Sequence, residues 1–196
     1  MPDALDLLKT RKSVSAAFLE PPGPSDAEIA EILTIASRVP DHGKLAPWRF
    51  IVFAGDARIK ASMALADLFV GKHPDADPRV VEEERKRLAR APLVIAVVCK
   101  PVPHPKVPEW EQMLSAGNAA FNIVLASHAL GYAAQWTTGW IATDPDAGRV
   151  LGLLPGERFV AFVHVGTPAA PPGDRPRPSL ADAVSYWSPP SGRMPG

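Results

Sequence analysis

Residues 109–130 read EWEQMLSAGNAAFNIVLASHAL, a run without proline that ends immediately before Gly131. The pattern predicts one long helix, and glycine is a favoured residue just past a helix C-terminus. Apolar side chains occur on nearly every side of that helix: Met113, Leu114, Ala120, Phe121, Ile123, Val124, Leu125 and Leu130. A helix that is apolar all round has to be covered on every side. In a chain of 196 residues, this predicts that a second subunit covers part of it.

The segments around this helix show both strand-like and helix-like patterns. Residues 92–99 are apolar on both faces, which is typical of a central strand. Ser25 and Glu28 have the spacing of a capping box, and Asp144-Pro145 is typical of a helix start. Strands are predicted at 48–54, 92–99, 132–138 and 158–165, and further helices at 3–11, 25–39, 57–70, 79–90 and from 144 onward. Because regular βαβ alternation is missing, we predict an α+β fold rather than a doubly wound sheet.

Two predicted helices carry further expectations. In the helix over 3–11, Asp3 is a candidate cap, and Leu5, Leu7 and Leu8 are expected on the inner side. The helix over 79–90 is rich in charge, which favours a solvated face over a binding surface.

Composition excludes several classes of protein. The 21 basic and 21 acidic residues balance, so nothing in the overall charge favours nucleic acid or an anionic membrane as a partner. A single cysteine, Cys99, cannot form an internal disulfide and is expected to be a buried strand residue, with a reactive thiol as the alternative. The N-terminus lacks a signal-peptide pattern, and no apolar run reaches the roughly 18 residues of a membrane span. We predict one cytoplasmic domain over residues 1–196, with a flexible proline-rich tail after about residue 188.

Motifs that would indicate other chemistries are missing from the sequence. It has no G-x-G-x-x-G, no phosphate loop, no H-E-x-x-H, no C-x-x-C pair and no G-x-S-x-G elbow. The five histidines are scattered, so we predict no metal site. An enzyme with neither metal nor nucleophile often leaves its chemistry to an organic cofactor.

Three segments carry a positive signal, and each has a structural alternative. Arg11-Lys12-Ser13 can hold a phosphate monoester, although cations also suit a helix C-terminus. Residues 38–50 form a polar loop beside Trp48, either a binding loop or a plain connector. Residues 131–139 combine small residues with glycine. Such a stretch either lets backbone N–H groups approach a flat ring closely or is simply a strand that ends in a turn.

Taken in order, these segments resemble the nitroreductase family, in particular its small bacterial members. The resemblance begins with Arg11-Lys12-Ser13 and continues with Arg-x-Pro-Asp-His-x-x-x-x-Pro-Trp-x-Phe over residues 38–50. It then includes residues 106–117, 136–139, 165–168 and 175–180, so that it covers about residues 4–187. Six matches in the same order are hard to produce by chance.

The resemblance implies a nitroreductase-like fold, with a central mixed or antiparallel sheet flanked by helices in an intertwined homodimer. It also implies FMN at the dimer interface. Arg11 and Ser13 would hold the phosphate, with Lys12 near the ribityl chain or ring edge. Arg38 and His42 would contact the flavin from their loop. Trp136, Thr137 and Thr138 would contact it from the other side and are expected to come from the partner subunit. Arg175 and Arg177 would complete the phosphate site.

The resemblance implies an activity as well. NADH or NADPH would reduce the flavin, and a nitroaromatic or quinone acceptor would reoxidise it on the same face, in a ping-pong reaction with no catalytic side chain. The implied NAD(P)-binding stretch is Ala126, Ser127, His128, Ala129, Leu130 and Gly131, although an apolar helix end is also core. Other flavin chemistry on this fold, such as dehalogenation or flavin destruction, and a non-catalytic flavin-binding dimer are the alternatives. The physiological acceptor, the choice between NADH and NADPH and the subunit that supplies each contact stay open.

Three positions depart from the family pattern. Lys12 replaces the commoner arginine and loses its bidentate fork. Ala46 stands where many members have glutamine, and Thr137 where close relatives have arginine. These departures bear on substrate preference rather than on FMN binding.

Overall fold

The structure, a computed structural model, describes residues 3–170 and 173–189. Its α-helices are α1 (Ala4–Thr10), α2 (Asp26–Ala36), α3 (Gly55–Lys72), α4 (Pro78–Lys86), α5 (Glu109–Ala129), α6 (Pro145–Val150) and α7 (Leu180–Ala183). Its strands are β1 (Leu19–Glu20), β2 (Trp48–Ala54), β3 (Leu93–Cys99), β4 (Ala133–Thr137) and β5 (Arg158–Pro168). Single turns of 3-10 helix at Ala16–Phe18, His42–Lys44 and Trp140–Ala142, together with β1 and α7, were not predicted from the sequence.

The sheet is assembled on β5. This strand pairs antiparallel with β3, β4 and β1, and β3 pairs antiparallel with β2. Every residue of β3 is buried, which confirms the prediction of a central strand. The antiparallel sheet with flanking helices confirms the predicted α+β class.

Side chains alternate between the two faces of the sheet and form two cores. Leu93, Ile95 and Val97 of β3 pack in one core with residues of α2 and α5. Val94 and Ala96 pack in the other with residues of α3 and α6. The predicted sites therefore lie around α5, on the first of these faces.

Three of the predicted helix starts are confirmed, and two of them have the expected side-chain cap. The Ser25 hydroxyl accepts a hydrogen bond from the Glu28 backbone N–H, and the Glu28 carboxylate accepts one from the Ser25 backbone N–H. Asp144 caps α6 through the backbone N–H groups of Asp146 and Ala147, both at 2.9 Å. Asp3 occupies the N-cap position of α1, but its side chain makes no capping hydrogen bond. The helix after Ser25 ends at Ala36, before the predicted Val39.

The apolar sides of α1 and α5 are not closed by this chain. Leu5 and Leu8 are 61% and 55% exposed, so the prediction that they face inward is wrong for a single subunit. On α5 the small residues turn to the sheet, whereas Trp110 and Leu114 stay 63% and 59% exposed. Since α1 packs only along one side of α5, the exposed apolar faces of both helices remain for another surface to cover.

Helix α4 corrects the prediction of a wholly solvated charged helix. It ends at Lys86 rather than at residue 90, and Glu84 is buried, with 4% exposure. The carboxylate of Glu84 can be buried because Arg87 and Trp140 donate hydrogen bonds to it.

Three further sequence-based expectations concern other parts of the chain. Cys99 is completely buried, and burial raises the pKa of its thiol, which supports the structural role over the reactive one. Across residues 3–170 and 173–189, no helix combines the length and apolar character needed to cross a bilayer. The predicted flexible tail lies largely outside the described residues, which end at 189.

Candidate functional site

The first predicted segment, Arg11-Lys12-Ser13, leaves α1 and runs along strand β4. Ser13 forms an isolated parallel bridge with Ala134, and the backbone N–H of Val14 donates to the Ala134 carbonyl at 3.2 Å. The backbone N–H of Ala16 donates to Oε1 of Gln135 at 2.6 Å. The segment and the strand that leads into Trp136 are therefore neighbours within one chain. No partner subunit is needed to bring them together.

The cations of this segment lie along the C-terminal half of α5. The guanidinium of Arg11 lies 5.6 Å from the ring centre of Phe121, within the range of a cation–π contact. Nζ of Lys12 lies 3.8 Å from Oδ1 of Asp174, which brings the late segment that contains Arg175 back to the same end. Burial, followed by the charge of Arg11, lowers the pKa of His128 at the end of α5, and both effects favour its neutral imidazole.

The late basic pair is solvent-exposed. Arg175 and Arg177 both belong to an exposed stretch without regular secondary structure. The backbone N–H of Arg175 donates to Oδ1 of Asp174 at 2.9 Å, so Arg175 follows directly on the carboxylate that faces Lys12. Arg175 and Arg177 therefore follow within three residues of Asp174, which contacts Lys12. Both guanidinium groups remain accessible.

The predicted nicotinamide stretch is partly core. Ala126 and Ser127 are buried, and the Ser127 hydroxyl donates to the Ile123 carbonyl of the preceding turn. Gly131 has φ of +91°, as expected for the residue that follows a helix. His128, Ala129 and Leu130 are half-buried, Nε2 of His128 is itself buried, and Gly131 is exposed.

The loop that carries Arg38 and His42 is tightly held by Asp41. The carboxylate of Asp41 accepts hydrogen bonds from the backbone N–H groups of Leu45, at 3.1 Å, and Ala46, at 2.8 Å. Lys44 and Ala46 both adopt positive φ values, 55° and 45°. Such conformations cost energy in residues other than glycine and persist where the surroundings impose them. This loop is a rigid element rather than a loose connector.

His42 points its Nδ1 to Glu111 in the first turn of α5, with 2.8 Å between Nδ1 and Oε2. The two residues line a cavity of about 190 Å³ between the loop and α5. Ser115 ties the loop to the helix because its hydroxyl donates to the Pro40 carbonyl at 2.5 Å. Asn122 donates to the Arg38 carbonyl at 3.3 Å, which holds the backbone of Arg38 while its side chain stays exposed.

Strand β4 carries the third predicted segment to the same helix. The indole of Trp136 is 38% exposed, and its edge lies 4.0 Å from the position that a Cβ of Gly117 would occupy. The hydroxyl of Thr137 donates to the Phe162 carbonyl at 3.3 Å, whereas Thr138 is exposed. Gly117 thus leaves room for the ring of Trp136 on the surface of α5.

The turn after β4 rests on a buried ion pair that sequence reasoning missed. Arg87 donates to both carboxylate oxygens of Glu84, and Nε1 of Trp140 donates to the same carboxylate at 3.0 Å. Burial alone would raise the pKa of Glu84, but these hydrogen bonds outweigh it and hold the pKa below its ordinary value. The guanidinium of Arg87 also lies against Gly139, which adopts φ of +72°.

The predicted site residues of one chain are spread along α5. Lys12 lies toward the end that contains His128, and His42 lies at the end that contains Glu111. Positions 111 and 128 are about 25 Å apart along the helix, at about 1.5 Å per residue. Between them, Trp136 lies against Gly117 and the Arg38 carbonyl is bound by Asn122. The structure therefore joins the first and third segments through β4, and the loop runs from Arg38 beside Asn122 to His42 beside Glu111. Across residues 3–170 and 173–189, no three His, Cys, Asp or Glu side chains cluster as metal ligands would.

Comparison with known proteins identifies relatives of this arrangement. The model of the nitroreductase family matches residues 8–167. The chain is 34% identical over 166 residues to "Putative NAD(P)H nitroreductase YdjA" of Escherichia coli (strain K12), an alignment that covers 85% of this chain and 88% of that protein. It is 37% identical over 166 residues to a protein of the same description from Haemophilus influenzae, with 84% and 88% covered.

Solved structures share the fold at lower sequence identity. A nitroreductase-like family protein from Bacillus cereus superposes with a TM-score of 0.81 at 19% identity, covering 95% of this chain and 96% of that one. The FMN and NADPH-dependent nitroreductase NfnB from sphigopyxis sp. strain HMH superposes with a TM-score of 0.73 at 20% identity, covering 95% and 100%. From the family match and the two relatives above 30% identity, we conclude that this chain belongs to the nitroreductase family.

Proposed function

We propose that this protein is an FMN-dependent oxidoreductase that takes electrons from NADH or NADPH and reduces nitroaromatic or quinone acceptors. The observation that carries the proposal is the match to relatives named as NAD(P)H nitroreductases over 85% of the chain. The name of NfnB, a structural neighbour, adds FMN and NADPH. The following contacts of this chain support FMN as the cofactor.

The donors at the C-terminal end of α5 suit a phosphate monoester. Arg11 and Lys12 supply two cations, and Ser13 adds a hydroxyl, all within one short segment fixed along β4. Charge-assisted hydrogen bonds of this kind are about twice as strong as neutral ones. Arg175 and Arg177, exposed next to Asp174, add further positive charge on the segment that returns to Lys12. We assign the phosphate of FMN to these residues.

The flavin ring of FMN would lie on the surface beside the same segment. Trp136 presents a partly exposed indole on α5, and Thr138 presents an exposed hydroxyl. When bound, FMN supplies the chemistry of the reaction, accepting a hydride from the nicotinamide and passing electrons to the acceptor. The protein's own part is to position the ring and to keep its surroundings polar where charge develops. For the nicotinamide nucleotide, the predicted stretch offers the exposed Gly131 and the half-buried Ala129 and Leu130.

A homodimer explains why His42 lies far along α5 from Lys12. In a two-fold dimer the same surface is used by both copies, so the loop of one subunit can complete the site of the other. The exposed Trp110, Leu114 and Phe121 occur at helical spacing on one side of α5, and Leu5 and Leu8 add to the apolar area that a second copy would bury. We therefore propose that the cytoplasmic, functional unit is an intertwined dimer with two composite sites.

The colour of the purified protein is the first test. We expect a yellow preparation that releases FMN rather than FAD on denaturation, since the cation group suits a terminal phosphate. A colourless preparation that cannot be reconstituted with FMN would contradict the proposal.

Steady-state kinetics test the reaction. With NADH or NADPH and a quinone or nitroaromatic acceptor, double-reciprocal plots should give parallel lines, the signature of ping-pong kinetics. The bound flavin should also bleach with a nicotinamide nucleotide alone. Intersecting lines, with no bleaching by either nucleotide, would favour other flavin chemistry. A protein that holds FMN and leaves both nucleotides untouched would be a binding module.

A further inference from the structure

The cavity beside α5 contains one acid–base pair whose role FMN binding does not require. Its ionisable side chains are Asp41, His42 and Glu111. Both carboxylate oxygens of Asp41 already accept backbone N–H groups of its own loop. Glu111 faces Nδ1 of His42 at 2.8 Å. The remaining nitrogen, Nε2, takes no hydrogen bond from any described residue, so it is the nitrogen left for a ligand.

The polar neighbours of His42 in this cavity are committed to the fold. Ser115 donates to the Pro40 carbonyl, and Asn118 donates to the Leu114 carbonyl of its own helix. Gln112 bonds to both the N–H and the carbonyl of Val102. His42 is 60% exposed at its side chain, so it can exchange protons with solvent. It is thus suited to transfer a proton into the cavity, whereas these neighbours only shape it.

The proposed reaction needs such a proton. A quinone that accepts a hydride requires one further proton to become the hydroquinone. A nitro group that accepts a hydride requires one further proton to lose water and become a nitroso group. In both cases two electrons and one proton arrive as the hydride, and the second proton has to come from elsewhere.

We infer that His42, oriented by Glu111, donates this second proton from Nε2 to the acceptor. This inference rests on the proposed function, and it adds a catalytic residue to a reaction that the flavin alone was expected to perform. Glu111 is a positioning residue: it keeps the proton on Nδ1, so that Nε2 alone changes its protonation. After the transfer His42 is neutral, retains its Nδ1–H bond to Glu111, and regains a proton from solvent.

Two acceptors separate proton donation from flavin binding. Benzoquinone needs a hydride and a proton, whereas ferricyanide takes single electrons and no proton. The holoenzyme is reduced anaerobically with NADH or NADPH and then mixed rapidly with either acceptor, and flavin reoxidation is followed by absorbance. The variant His42→Asn retains an N–H group for Glu111 but lacks Nε2. General acids contribute about 100- to 10,000-fold, so we expect benzoquinone to react at least about 100-fold more slowly with this variant and ferricyanide at an unchanged rate.

Matched variants define the effect. Glu111→Gln should reduce the benzoquinone rate less than His42→Asn and leave ferricyanide unchanged. Glu109→Gln, on the same turn of α5 but paired with Arg158, should leave both rates unchanged, as should His73→Asn. If both acceptors slow equally, His42 only positions the flavin; if neither slows, solvent supplies the proton. Either result overturns the inference.

A spectroscopic measurement tests the pair without turnover. The nitrogen chemical shifts of the neutral His42 imidazole should show the Nδ1–H tautomer in the wild type and lose that preference in Glu111→Gln but not in Glu109→Gln. An Nε2–H tautomer in the wild type would overturn the inference. Failure of both nicotinamide nucleotides to reduce the wild-type flavin is a separate result, which would overturn the proposed function and the inference with it.

Discussion

Helices α4 and α5 have sequences that indicate opposite surroundings, and each contains the exception to its own pattern. The charged helix α4 buries Glu84 to 4% exposure, where Arg87 and Trp140 satisfy its carboxylate. The apolar helix α5 leaves Trp110 and Leu114 more than half exposed. Composition therefore describes the average face of a helix. Whether a side chain is buried depends on which other side chains can contact it. Glu84 of α4 is contacted by residues of the same chain, whereas Trp110 and Leu114 of α5 are left exposed by it.

The largest expected effect concerns the open face of α5. Leu114→Lys would place a charge in the proposed dimer interface, and an unpaired buried charge costs about 3–5 kcal/mol. A two-fold dimer carries the substitution twice, so we expect the dissociation constant to rise by more than about a thousandfold. Light scattering across a dilution series measures it.

The matched control is Leu154→Lys, because Leu154 is 62% exposed against 59% for Leu114 and lies in the loop before β5. This variant should remain a dimer. Equal dissociation constants for the two variant dimers would show that α5 is not the interface. The exposed side chains of α5 would then have no partner in a second copy of the chain.

The second prediction removes the exception on α4. Glu84→Ala leaves Arg87, whose side chain is 29% exposed, without its partner. We expect a loss of about 3 kcal/mol in the free energy of unfolding, the lower end of the range for breaking a buried pair. Urea unfolding of the apoprotein provides the measurement. Glu82, two residues earlier, pairs with Lys86 at 3.1 Å on the exposed side, so Glu82→Ala should cost no more than about 0.5 kcal/mol. Equal losses would mean that the burial of Glu84 has no energetic consequence.

The third prediction uses His164, which is buried on β5. Burial, and then the charges of Arg90 and Arg87, lower its pKa to about 4. In the unfolded chain the imidazole takes up a proton near pH 6.5, whereas the folded protein keeps it neutral down to about pH 4. Stability present above pH 6.5 is therefore lost as the pH falls toward 4, by up to about 3 kcal/mol.

Comparison of variants isolates this contribution. The free energy of unfolding, measured between pH 7.5 and pH 4.5, should fall less steeply on acidification in His164→Leu than in the wild type. His73→Leu, on the exposed end of α3, should keep the wild-type slope. Identical slopes in all three proteins would show that His164 is not responsible.

The smallest expected effect concerns the polar end of α5. Arg11→Ala should weaken FMN binding by about 10- to 150-fold, since a hydrogen bond to a charged group contributes about 1.5–3 kcal/mol. Lys9→Ala, in the last turn of α1 and exposed, is the control and should bind FMN as the wild type does. Fluorescence titration measures both affinities. An unchanged affinity in Arg11→Ala would move the phosphate toward Arg175 and Arg177.

The candidate site could be predicted from the sequence only where its residues are adjacent in the chain. Arg11-Lys12-Ser13 and Trp136-Thr137-Thr138 could be recognised because each is a short continuous motif. Glu111 was quoted within a motif but had no role, because its partner His42 lies 69 positions away. Neither the pairing of Glu84 with Trp140 nor the approach of Asp174 to Lys12 leaves a local signal in the sequence.

By itself, the sequence determined the elements whose physics is local. The continuous apolar run in residues 92–99 specified a central strand, the hydrogen bonds of Ser25 with Glu28 and the cap of Asp144 specified helix starts, and Gly131 specified a helix end. These features depend on side chains a few positions apart. Only the tertiary structure decided that α1 turns Leu5 and Leu8 outward, that α4 buries a carboxylate, and that Lys12 and His42 lie toward opposite ends of α5. Those outcomes depend on which distant surface reaches a side chain, and burial is stabilising only where that surface can supply the matching contact.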